Sequence, residues 1–167
     1  WGRELNLNIV FIVSTLEQTG PTRQLFNIIR YLDRTIFSVH LITLSPEPKD
    51  SLWPMFQELE ISLSCLNFGR MRGFFISGMA LRRKLSKLEP AIIHTHGLRA
   101  DCLSAQLPSQ LCRVSTQRNI PEQDYPALYG HVLGSFIALL HRRALQRIPV
   151  VVACSSTIAQ ERNKWKS

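Results

Sequence analysis

Apolar runs and amphipathic stretches alternate along the chain at the spacing of strands and helices. Residues 8–14, NIVFIVS, are a continuous apolar run with β-branched side chains, which predicts a strand buried on both faces. A polar loop follows over 15–20. Pro21 suits the first turn of a helix, where its missing N–H costs nothing. Leu25, Ile28, Ile29 and Leu32 then share one face, so that helix is predicted to reach about Leu32.

The alternation continues. Residues 37–44 (FSVHLITL) predict a second strand, 45–50 a proline-bearing loop, 52–59 a short helix and 61–66 a third strand. A helix is predicted over 73–88, with an apolar line at Phe74, Leu81, Leu85 and Leu88. Residues 91–95 read as a fourth strand, 98–107 as a helix and 112–116 as a fifth strand. The stretch 125–146 predicts one long amphipathic helix and 149–154 (PVVVAC) a sixth strand; a further helix begins near Ser155. Strands alternating with helices imply a parallel sheet covered on both faces. Right-handed crossovers make this an α/β, Rossmann-like, doubly wound domain with a mainly parallel sheet. No repeat, low-complexity tract or linker divides residues 1–167, so one domain is expected.

Composition adds limits. The 167 residues, 45% hydrophobic, suffice for one domain with a core. The longest apolar run, around 132–140, is interrupted by Gly134 and Ser135 and is too short to cross a bilayer. The first residues lack the basic start and cleavage region of a signal peptide, which points to the cytoplasm. The last residues, KWKS, break off a helical pattern, so more chain is expected beyond them. A net charge of +8 favours anionic partners: nucleotide phosphates, nucleic acid or an acidic membrane surface. It does not choose among them. Cys65, Cys102, Cys112 and Cys154 form no C-x-x-C pair and adjoin apolar stretches, so buried free thiols are expected.

Candidate chemistry gathers at the ends of strands, where open α/β sheets bind ligands. In AIIHTHGLRAD, His94 and His96 lie two apart and point to the same side of the sheet. His94 is expected deeper, as a packed and hydrogen-bonded residue. His96, against Gly97 at the mouth, is the functional candidate: it can donate, accept, ligate metal or change charge near neutral pH. A metal reading would use His94 and His96 with Asp101 as third ligand, although Asp101 lies about a turn into the next helix. The loop 15–23 leads into a helix N-terminus that welcomes phosphate; Gly20 would admit a ligand to the backbone and Arg23 would add charge. Gly20-Pro21 is equally a good turn into a helix. There is no G-x-G-x-x-G and no Walker lysine, which disfavours ordinary dinucleotide and P-loop binding.

Residues 115–119 (STQRN) follow the fifth strand and can hydrogen-bond a polyhydroxylated or phosphorylated ligand, as can any solvated loop. Over 70–87, Phe74, Phe75, Ile76 and Met79 mix with Arg70, Arg72, Arg82, Arg83, Lys84 and Lys87. That pattern suits a helix on anionic lipid, or an ordinary helix covering the sheet. No Ser/His/Asp arrangement is legible, and no cysteine has an activating neighbour. Base-stacking aromatics of the RNA-binding kind are missing, so nucleic acid is not an expected partner.

The order of these features resembles the N-terminal domain of a GT-B glycosyltransferase of the family-4-like, retaining type. The pieces that carry the resemblance are TGPTRQLFNIIRYLD, FSVHLITLS, AIIHTHGLRAD, RVSTQRN and VVVACSSTIAQ, which together cover most of the chain. The resemblance implies two Rossmann-like domains facing across a cleft. The N-terminal one mainly binds the acceptor; the C-terminal one holds the nucleotide sugar and carries an E-x7-E motif. This chain has no such motif, so the resemblance implies half an enzyme, inactive by itself.

Within that frame His96 would sit beside the transferred sugar as the catalytic residue. Gly20, Thr22, Arg23 and Arg118 would contact donor phosphates or acceptor. No metal or cofactor is implied, because backbone dipoles and basic groups can stabilise a leaving diphosphate. The chain has Gly20-Pro21 where the family usually has Gly-Gly, and Gln117-Arg118 where a histidine is frequent. The function implied is sugar transfer from a nucleotide-sugar donor to a glycan or lipid-linked acceptor in cell-envelope or polysaccharide biosynthesis. The place implied is the cytoplasm, peripheral on the inner face of the membrane. Two alternatives stay open: a metal-dependent hydrolase using His94 and His96, and a non-catalytic α/β binding domain.

Overall fold

The computed structural model describes residues 7–69 and 73–165, the side chains at 73–77 excepted. Six strands build its sheet: β1 (Leu7–Val13), β2 (Phe37–Thr43), β3 (Ser62–Cys65), β4 (Ile92–His96), β5 (Cys112–Gln117) and β6 (Val150–Ala153). Every neighbouring pair is parallel, in the order β3-β2-β1-β4-β5-β6. Seven helices link and follow them: α1 (Gly20–Arg30), α2 (Trp53–Gln57), α3 (Gly73–Leu88), α4 (Leu98–Ser104), α5 (Pro121–Tyr129), α6 (His131–Arg147) and α7 (Ser156–Asn163). This is the Rossmann-like, doubly wound architecture that the alternating pattern predicts.

The apolar run of β1 is explained by its central place. Ile9, Phe11 and Val13 pack with Leu25 and Ile29 of α1 and Phe56 of α2. Val10 and Ile12 face the other way, with Leu81 and Leu85 of α3 and Ala100 and Leu103 of α4. A strand buried on both faces has no polar side to show in its sequence. The strand order reverses between β1 and β4, so α1 and α4 leave toward opposite faces there and a crevice opens at the strand ends.

Two expectations are corrected. The stretch 125–146 is not one helix. It divides at Gly130, whose φ of +79° and ψ of 163° no helix accommodates, and α5 already starts at Pro121. The two helices then pack so closely that a Cβ on Gly134 would lie 2.4 Å from the backbone of Pro126. The thiols are free but not uniformly buried: Cys65, Cys112 and Cys154 are exposed and Cys102 half-buried. Cys65 closes the edge strand β3, Cys112 opens β5 and Cys154 follows the edge strand β6, so little covers them. Of the expected lipid-facing stretch, residues 70–72 and the side chains of Phe74, Phe75 and Ile76 lie outside the described residues. Among the described residues, no helix is long and apolar enough to cross a membrane.

Candidate functional site

A cavity of about 310 Å³ opens at the carboxyl ends of β1, β4 and β5, at the switch point of the sheet. Larger grooves exist, one of about 630 Å³ between the ends of α3 and α4. That groove adjoins the amino ends of β4 and β5, where open sheets do not carry their chemistry. The smaller cavity is therefore the candidate site.

Its roof comes from the first loop and α1. Thr19 caps α1, its hydroxyl accepting from the Thr22 N–H at 3.4 Å and lying 2.9 Å from the Thr22 hydroxyl. Leu16, fully buried, anchors the loop. Its N–H donates to Glu47 Oε2 at 2.9 Å, and the Ser51 hydroxyl donates to the same oxygen at 2.6 Å. The loop is thus braced by the segment after β2.

β4 supplies the histidine pair. His94 and His96 stack with ring centroids 4.5 Å apart, beside Phe11 of β1. His94 Nε2 lies 2.8 Å from the Thr116 hydroxyl. The expected depths are reversed: His96 is buried, 8% exposed, and His94 is only half-buried. The crevice turns over the strand end here, covering the last residue of β4 with the first loop and Arg118. Burial, assisted by Arg118, pushes His94 down to about 4. Burial pushes His96 well below the usual imidazole value, with His94 and Arg118 adding to the effect. Both rings are neutral at pH 7.

The tautomer of His96 follows from its neighbour. Arg118 Nη1 lies 2.7 Å from His96 Nδ1. A guanidinium can only donate, so Nδ1 accepts and the ring proton sits on Nε2. That Nε2 is buried with no partner among the described residues. Arg118 is itself held by α1: its Nε and Nη2 donate to Gln24 Oε1 at 3.1 and 2.9 Å.

The opposite wall was not legible beforehand. His141 of α6 lines the cavity from below, 1% exposed. Its Nδ1 lies 2.8 Å from the Tyr125 hydroxyl and its Nε2 3.0 Å from Asp101 Oδ2. Asp101 Oδ1 accepts from the Thr95 hydroxyl at 2.5 Å. Burial, with the Asp101 charge adding, raises the Tyr125 phenol above its usual value, so it stays protonated. The available signal for His141 was positional. It shares a buried face with Gly134, Ala138 and Leu145, a polar residue on an apolar stripe. This network also removes Asp101 from the metal reading, since its carboxylate is engaged by Thr95 and His141 and not by His94 or His96. Among the described residues no three His, Cys, Asp or Glu side chains are placed to share a metal ion.

Thr22, His96 and Arg118 line the cavity together with Thr19, Asp101 and Tyr125. Gly20 and Arg23 do not; both are exposed on the first turn of α1, outside the lining. A Cβ on Gly20 would meet nothing within 4 Å, so no close packing demands glycine there.

The chain has a counterpart among known protein families. The profile of Glycosyltransferase Family 4 matches residues 19–165. The chain belongs to Glycosyltransferase Family 4. No curated protein sequence matches it significantly. Among solved structures, this family 4 domain resembles sucrose-phosphate synthase from Thermosynechococcus elongatus at a TM-score of 0.69 and 14% identity, over 97% of this chain and 46% of that one. It resembles the UDP-GlcNAc 2-epimerase of Methanocaldococcus jannaschii at 0.64 and 15%, over 96% and 43%. A glycosyltransferase from Rickettsia africae matches at 0.60 and 15%, over 93% and 38%. The family 4 domain therefore spans less than half the length of each of these structures, and the likeness concerns fold alone. Its fold is that of the N-terminal domain of a GT-B glycosyltransferase.

Proposed function

We propose that this domain is the acceptor-side half of an enzyme that moves a sugar from a nucleotide-sugar donor to a glycan or lipid-linked acceptor. The setting we propose is cell-envelope or polysaccharide synthesis at the cytoplasmic face of a membrane. The donor would be held by a second Rossmann-like domain across the cleft. In the reaction the bond from C1 of the sugar to the diphosphate oxygen breaks, and a bond from C1 to an acceptor oxygen forms. The nucleoside diphosphate leaves with the bonding electron pair, and the acceptor proton passes to its departing phosphate oxygen.

The observation that carries this reading is the state of His96. Arg118 holds it as a neutral Nε2–H donor at the switch point, and that N–H has no protein partner. A buried donor without a partner costs about 1–3 kcal/mol, and a sugar hydroxyl or glycosidic oxygen in the cleft would recover it. The edge bearing Nε2 is closed from solvent, so the ring or the first loop shifts slightly when ligand enters. The first turn of α1 supplies partial positive charge for the leaving diphosphate. Pro21 has no N–H, and the Thr22 N–H is capped by Thr19, which leaves Gly20 as the exposed first-turn donor. No step here requires a bound metal.

The test pairs the domain with its donor-binding partner domain and follows sugar release from radiolabelled nucleotide sugars. His96→Ala is expected to lower kcat/KM by about a hundredfold or more in a chain that circular dichroism shows is still folded at the assay temperature. Transfer undiminished by His96→Ala would overturn the assignment of His96. A pair of domains that consumes no nucleotide sugar, yet binds glycan, would make this a binding module.

A further inference from the structure

Helix α6 has two lives. Its buried face carries His141 into the cavity wall. Its outer face leaves large apolar side chains in water: Val132 is 89% exposed, Leu133 55% and Phe136 58%. Leu139 and Leu140 are exposed as well, and Leu128 and Tyr129 continue the patch onto the end of α5. Isolated exposed apolar residues need no explanation, but a contiguous row does.

The row has an order. At 100° per residue, Val132, Leu133, Phe136, Leu139 and Leu140 fall within an arc of about 120°, and Arg143 and Arg147 continue the same arc toward the C-terminus. Both arginines are exposed. The stripe is apolar for its first half and cationic for its second. The groove between α4 and α6 beside it, about 540 Å³, is lined by Leu98, Cys102, Ile137, Leu140, Arg143 and Arg147.

The surrounding face has the same sign. α3 and α4 cover one side of the sheet through Leu81, Leu85, Ala100 and Leu103, and α4 packs on α6. In these three helices the only acidic residue is Asp101, which is 1% exposed. Arg82, Arg83 and Lys87 of α3 are exposed on that side. The exposed carboxylates nearest the patch, Glu122 and Asp124, lie in the first turn of α5, away from Leu128 and Tyr129, and Glu122 pairs with Arg142 of α6 at 3.6 Å. A face with lysines and arginines, no exposed carboxylate in α3, α4 or α6 and a row of bare aliphatic side chains is complementary to one kind of surface.

We propose that the α6 face is a docking surface for an anionic lipid bilayer. The apolar half of the stripe enters the acyl boundary, and Arg143 and Arg147 meet lipid phosphates. A second copy of the chain fits less well, because a two-fold contact along the stripe would bring Arg143 and Arg147 toward their own copies, and α6 carries no carboxylate to pair them. Nucleic acid would match the charge but leave the aliphatic row unused. The position differs from the basic stretch 70–87 that the sequence pattern suggested. It also couples the surface to the cleft: α6 touches lipid on one side and holds the cavity wall through His141 on the other. That coupling gives the reading of a lipid-linked acceptor a physical route, though the docking itself does not depend on sugar transfer.

Flotation of the purified chain with vesicles tests it. Vesicles of phosphatidylcholine with about 30% phosphatidylglycerol should capture the chain, and pure phosphatidylcholine should capture far less. The doubles Phe136→Asp/Leu140→Asp and Arg143→Glu/Arg147→Glu should each weaken capture about tenfold or more, in chains that circular dichroism shows are still folded at the flotation temperature. In Phe136→Trp the indole emission should shift to the blue on adding anionic vesicles. Three results would overturn the proposal. One is no capture of the wild-type chain at low salt. Another is capture that both doubles leave intact, which would put the contact elsewhere, such as 70–87. The last is a dimer in lipid-free solution that Phe136→Asp/Leu140→Asp dissociates, which would make the face a protein interface. None of these readouts involves glycosyl transfer, so a failure here is separate from a failure of the enzymatic reading.

Discussion

The guanidinium of Arg118 donates to Nδ1 of His96 across 2.7 Å, and the same side chain grips Gln24 on α1. One residue after β5 thus sets the proton position on the last residue of β4 and ties both to the first helix. Arg118 contributes to the depressed basicity of His96, after burial and His94. In Arg118→Gln that contribution is removed, so His96 should titrate at higher pH than in the wild type. The fixed Nε2–H tautomer should also give way to a mixture. Ring-nitrogen chemical shifts across a pH series measure both; an unchanged tautomer would mean that something other than Arg118 sets it.

Acid should destabilise the domain through His94. It titrates near 4 in the folded chain, against 6.5 as its ordinary value. The unfolded chain therefore binds more protons between those values, and stability falls as pH drops from about 6.5 to about 4. The loss from this group is about 3 kcal/mol at most, by the linkage of pKa to stability. Chemical denaturation of the wild type and His94→Gln over this range should show a shallower slope in the variant.

Two glycines should resist alanine for different reasons. Gly97, between His96 and α4, has φ +91° and ψ 162°, a region that only glycine enters readily. Space around it is open, so the cost of Gly97→Ala is backbone strain of about 1–3 kcal/mol. Gly134→Ala instead drives a methyl into the Pro126 backbone. Side-chain motion cannot relieve that contact, so α5 must move, at a cost of about 2 kcal/mol or more. Thermal melts measure both. A loss of Tyr125 burial, seen as greater tyrosine quenching, should accompany Gly134→Ala alone.

Thiol reactivity should divide three to one. Cys65, Cys112 and Cys154 are exposed, whereas burial, with the charge of Asp101, pushes the Cys102 thiol up to about 12. A thiolate is the reactive form. Alkylation of the native chain at neutral pH, followed by mass spectrometry, should label three sites quickly and Cys102 last.

Much of the scaffold was legible in the chain. β1 announces itself because a strand buried on both faces is apolar at successive positions, here Ile9 to Val13. The apolar line of Phe74, Leu81, Leu85 and Leu88 marks α3 between the observed bounds, Gly73 and Leu88. The break at Gly130 was not legible, because apolar spacing continues through it and only a φ of +79° reveals it. The histidine pair was visible as a same-face strand end, but the relative depth of its two members was not.

The amino-acid sequence by itself determined the alternation of elements, hence the parallel sheet and the crevice at the ends of its strands. It also determined which residues could stand at that crevice, since period-two spacing places His94 and His96 on one face. The tertiary structure decided what those residues do. Proton positions, burial and partners depend on groups far apart in the chain: Arg118 reaching His96 and Gln24, His141 reaching Asp101 and Tyr125. Local pattern records the periodicity of a single element. It does not record which face of a distant helix closes over a strand end, nor which apolar stripe, like that of α6, is left without a covering layer.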